Sequence, residues 1–141
     1  MSPAGSPSPL SVMPALEDLA LFRDMAGKDR RALAMAGETK RVVQAEVIIK
    51  HLGHHDSLFV ILAGSFEVGR EGKVLATLGV GQMCGEMEML NPPHATADVT
   101  ALSDSVVWRL SREHLRQFIE SHPKSGKALM TLMAKTFAAR L

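Results

Sequence analysis

A chain of 141 residues, 46% hydrophobic and 22% charged, is sized for one domain with a real core, and its net charge of +1 gives no global basic field for nucleic acid. The longest apolar runs, such as Leu58–Ala63, are far too short to span a bilayer, and the Ser/Pro-rich start, Met1 to Leu10, lacks the charged and apolar regions of a signal peptide. Cys84 is the single cysteine, so an internal disulfide is excluded and a cytoplasmic setting is expected.

Residues 1–14 carry too little apolar surface to fold and read as a disordered tail, with the domain over 15–141. Leu16, Leu19, Ala20 and Phe22 recur at helical spacing and predict a short helix. Gly27 breaks the chain, and Lys28 to Ala36 reads as a second helix ending at Gly37. From Thr39 the texture becomes β-branched. Arg41–Gln44 and Glu46–Lys50 predict short strands. Ser57–Ala63 is a continuous apolar run, and Ser65–Gly69 alternates. Arg70–Lys73 holds a glycine hairpin turn, with Arg70 and Lys73 solvated at its tip, and Val74–Leu78 returns. Gly79 and Gly81 mark another turn. Thr96–Leu102 and Ser105–Leu110 complete the strand series.

After Trp108 the spacing turns helical. Ser111 is a good N-cap, and Leu115, Phe118 and Ile119 share a face. Beyond Pro123, Met130, Met133, Phe137 and Leu141 recur at three- and four-residue steps, widened by Leu129 and Leu132. So broad a stripe suits packing on the β body with one edge and on a partner with the other. The fold class is α+β: an eight-stranded antiparallel β-roll, jelly-roll-like, flanked by N-terminal and C-terminal helices.

The stretch with chemistry in it runs from Gly79 to Ala101. Gly81-Gln82-Met83-Cys84-Gly85-Glu86 is a glycine-punctuated turn entering a short helix, followed by the loop Asn91-Pro92-Pro93-His94 and a strand. Backbone N–H groups at such a turn suit an anion, and a neighbouring carboxylate accepts hydrogen bonds from sugar hydroxyls. Together with Asp56-Ser57-Leu58-Phe59-Val60-Ile61-Leu62-Ala63-Gly64 upstream and Ala97-Asp98-Val99-Thr100-Ala101 downstream, this order and spacing resembles the cyclic nucleotide-binding domain. The resemblance runs from about Leu21 to Leu141.

The resemblance implies a phosphate-binding cassette after the sixth strand and a C-terminal helix that reports occupancy. It implies that Gly85 and Glu86 are the family's Gly-Glu, with Glu86 on the ribose 2′-hydroxyl and the N–H groups from Met87 onward facing a cyclic phosphate. The family's next landmark is an arginine. Counting back from Val99 puts that position on Ala95, or on His94 with a shift of one, and Thr96 follows. Neither is arginine. Losing a charged hydrogen bond costs about 1.5–3 kcal/mol, roughly 10- to 100-fold in affinity. His94 carries only partial charge near neutral pH. The expected ligand set is therefore Gly85, Glu86, Met87, His94, Ala95 and Thr96, holding cAMP or cGMP weakly.

Other clusters read as structural. His51, His54, His55 and Asp56 lie in a turn without the His-x-His spacing of a metal-dependent cupin and are expected to be a solvated loop. Cys84 is expected to be buried filler. Glu88 favours a helix N-terminal turn with its carboxylate in solvent. Lys124, Lys127, Lys135 and Arg140 are read as a solvated helix surface. No nucleophile elbow or P-loop occurs, so no enzyme and no cofactor are expected. The chain stops at Leu141 without room for a helix-turn-helix, so DNA binding is not expected, and nor is a membrane. Three readings follow. The first is a cyclic-nucleotide sensor, with homodimerisation through the C-terminal helix. The second is a β-roll that only docks a protein. The least favoured is a cupin-like enzyme.

Overall fold

The computed structural model describes residues 13–86, 89 and 97–140. Two short 3₁₀ turns, Leu16–Asp18 and Ala20–Phe22, lead into helix α1, Gly27–Ala36. Eight strands follow: β1 Glu38–Val42, β2 Val47–Ile49, β3 Ser57–Ala63, β4 Phe66–Arg70, β5 Lys73–Leu78, β6 Met83–Cys84, β7 Asp98–Ala101 and β8 Ser105–Ser111. Helices α2, Arg112–Ser121, and α3, Pro123–Ala139, complete the described chain.

The strands form two four-stranded antiparallel sheets, ordered β1-β8-β3-β6 and β2-β7-β4-β5. This is the expected eight-stranded β-roll with helices at both ends. β3 explains its own sequence. Every residue of it is buried, because both of its faces are covered. Leu58, Val60 and Leu62 join a core formed with the helices, while Phe59 and Ile61 face the interior of the roll. A strand covered on both sides reads as an unbroken apolar run rather than as alternation. β8 does the same, with Val106, Trp108 and Leu110 on the helix side and Val107 inside.

Local sequence sets the joints. Glu71 and Gly72 both have positive φ (52° and 79°), the two-residue hairpin geometry whose twist matches its flanking strands. Ser111 caps α2 by accepting a hydrogen bond from the His114 N–H at 3.1 Å. Pro123 opens α3, where its missing N–H costs nothing. Trp108 donates from Nε1 to the Ala34 carbonyl at 3.1 Å, fastening α1 to the first sheet.

Two local expectations differ. The helix expected over Leu16–Phe22 is a pair of 3₁₀ turns, closed by i to i+3 bonds such as Leu19 N–H to Leu16 O and Phe22 N–H to Leu19 O, both 3.1 Å. So short a segment does not repay an α-helical nucleus, and the tighter turns still bury Leu16, Leu19 and Phe22. Gly27, read as a break, is the first residue of α1. On α3, Leu129 and Met133 are fully buried in the chain's own core, and Met130 and Leu132 pack against it. Among the described residues, α3 has no large apolar side chain in the exposed class. Leu141 lies outside the described residues.

Candidate ligand-binding site

The site is built where β6 ends. Gly85 has φ of +89°, a backbone region that side chains rarely adopt. A Cβ there would collide with the Ser57 carbonyl oxygen and lie 2.5 Å from His55 Nε2. Glycine is therefore required twice over, by the turn and by the close approach of the loop preceding β3. His55 is held in place by stacking on Phe59, with ring centroids 5.9 Å apart. It is half-buried beneath the turn, a correction for this residue of the expected solvated loop, whereas His54 and Asp56 are exposed as expected. Among the described residues, no group of three His, Cys, Asp or Glu side chains is arranged to hold a metal ion.

The turn at Gly85 sends Glu86 inward. Its side chain has no solvent exposure, an unusual place for a carboxylate, because burying an unpaired charge is costly. The partner comes from the far end of the chain. Arg140, just beyond α3, donates from Nη1 to Glu86 Oε1 at 2.5 Å and from Nη2 to the Met83 carbonyl at 2.6 Å. Arg140 is thus part of the site, not the solvated surface charge that helical periodicity suggests. Lys124, Lys127 and Lys135 are exposed, as expected.

Glu86 and Arg140 border a cavity of about 500 Å³. Its walls are mostly aliphatic: Ile49, Val68, Leu75, Leu78 and Val99, from β2, β4, β5 and β7. Cys84, Gly85 and Ala97 complete the side nearest β6 and β7. Cys84 is 3% exposed, so it is buried as expected, yet it also faces the cavity. Arg70 lines the cavity too. It is exposed, but it is not merely the solvated hairpin tip of the sequence reading. Among the described residues, the cavity therefore has one buried acid, two arginines on its border and an apolar body.

Met89 donates its N–H to the Gly85 carbonyl at 3.3 Å. Arg112, at the start of α2, donates from Nη1 to the Met89 carbonyl at 3.2 Å. This ties Met89 to the junction of β8 and α2. Of the expected ligand residues, Gly85 and Glu86 are brought together at the cavity. Met87, His94, Ala95 and Thr96 lie outside the described residues, as does Glu88.

Residues 39–122 match the model of the cyclic nucleotide-binding domain. The chain belongs to that family. It is 30% identical over 123 residues to an uncharacterized NTE family protein of Mycobacterium tuberculosis, covering 86% of this chain and 21% of that one. It is 25% identical over 85 residues to a CRP-like cAMP-activated global transcriptional regulator of the same organism, covering 57% of this chain and 38% of that one. The chain spans well under half the length of the curated relatives it matches. Among solved structures, a cyclic nucleotide-binding domain from Methylobacillus flagellatus superposes with a TM-score of 0.80 at 22% identity, over 93% of this chain and 76% of that one. The cyclic nucleotide-binding fold thus accounts for both sheets and for the helices around them. No helix among the described residues is long and apolar enough to cross a membrane.

Proposed function

We propose that this domain is a non-enzymatic sensor that takes a 3′,5′-cyclic nucleotide, cAMP or cGMP, into the Glu86 cavity and signals occupancy through α3. The observation that supports this best is a carboxylate with no solvent exposure in the wall of a mostly aliphatic cavity. A nucleoside matches that arrangement. Its ribose hydroxyls are donors for a carboxylate, and its base offers a flat apolar face for Val68, Leu75 and Leu78. Gly85, Glu86, Met87, His94, Ala95 and Thr96 form the ligand set in this reading. With no arginine at Ala95, the contact of that segment with the phosphate is weak for the family.

Calorimetric titration of the chain with cAMP and with cGMP tests the proposal. Saturable binding of either is expected, and Glu86→Ala should abolish it. No heat with either nucleotide at millimolar concentration would overturn it and leave the β-roll as a docking module for a protein.

A further inference from the structure

The geometry points to Arg140 as the cation that meets the ligand's phosphate, in place of the arginine missing from the cassette. This rests on the cyclic-nucleotide reading above. The first argument is location. Arg140 borders the same cavity as Glu86 and is bonded to it at 2.5 Å. In a 3′,5′-cyclic nucleotide, the 2′-hydroxyl and the oxygen of the cyclic phosphate sit on adjacent ribose carbons. A carboxylate that takes the 2′-hydroxyl therefore lies within one guanidinium's reach of the phosphate.

The second argument is donor capacity. A guanidinium has five N–H donors in a planar fork. The bonds to Glu86 and Met83 engage one on each terminal nitrogen. Among the described residues the other donors of Arg140 have no hydrogen-bond partner, so it can keep Glu86 and add an anion. That is the bridging geometry for which arginine is suited and lysine is not.

The third argument is charge. Glu86 alone, fully buried, would repel an entering phosphate. Pairing with Arg140 neutralises that carboxylate, and the permanent charge of arginine holds at any pH of interest. The cation also arrives at the end of α3 rather than from the cassette. A phosphate bond to it would pin the last turn of that helix to the cavity, so occupancy and helix position become one equilibrium.

The test is a double-mutant cycle read by calorimetry with cAMP: the wild-type chain, R140A, A95R and R140A/A95R. R140A should weaken binding about 10- to 100-fold. A95R should add little to the wild type, which already has its cation, and should recover most of the loss in the R140A background. Wild-type affinity should be the same near pH 6 and near pH 8. Should R140A fail to fold, R140Q, which keeps N–H donors without the charge, takes its place in the cycle. Equal gains from A95R in both backgrounds, or no loss in R140A, would overturn the inference. So would binding that appears only near pH 6, which would assign the charge to His94. Binding by A95R but not by the wild type would overturn the inference alone. No binding by any of the four would take the cyclic-nucleotide reading down with it.

Discussion

Glu86 and Arg140 form one ion pair, yet removing one partner should not cost the same as removing the other. Glu86 has no exposed side-chain surface, whereas the Arg140 side chain is 28% exposed. In R140A the carboxylate, buried in the wild type, loses the Arg140 guanidinium. Breaking a buried pair in this way costs about 3–5 kcal/mol, and the partly open position of Arg140 puts the expected value at the low end. In E86Q the amide oxygen still accepts from Arg140, and the guanidinium can turn part of its surface to water. What is lost is the charge assistance of one hydrogen bond, about 1 kcal/mol. The expected difference between the variants is therefore about 2 kcal/mol. Urea unfolding measures it, provided that both variants keep the wild-type slope with denaturant. An E86Q variant as destabilised as R140A, or more so, would refute the reasoning. It would mean that desolvation of Glu86 is not what the pair compensates.

Three further outcomes follow from the packing. G85A should destabilise the chain by more than about 1 kcal/mol and abolish nucleotide binding, because its Cβ meets the Ser57 carbonyl and His55 at a positive φ; unfolding and titration of the variant check both. L129A removes a side chain with no exposure from the core shared by the helices and the first sheet. Its urea midpoint should fall by an amount equivalent to about 2–5 kcal/mol. S111A loses the cap on the His114 N–H and should cost about 1 kcal/mol, whereas S111D should be close to neutral by the same measurement.

Much of the fold could be read along the chain because its signals are local. The run Ser57–Ala63 coincides with β3, the glycine hairpin sits at Glu71–Gly72, and Ser111 caps the helix that its position announces. Strand edges move by a few residues. β1 begins at Glu38, because pairing with β8 recruits residues whose side chains face solvent. β6 is only Met83–Cys84, too short to show alternation, and it exists because β3 offers it an edge.

The site divides along the same line. Gly85 and Glu86 were legible because a tight turn and the acid beside it are contiguous, and the order of motifs around them is a property of sequence. Two contacts were not. His55 packs against Gly85 because the loop before β3 passes under the turn after β6. Arg140 looks like any solvated charge on a helix in the sequence, which shows spacing but not the direction in which a helix end points. Only the packing of α3 on the roll brings Arg140 to Glu86, 54 residues away along the chain. A buried carboxylate needs a cation, and the tertiary structure decides which one can reach it.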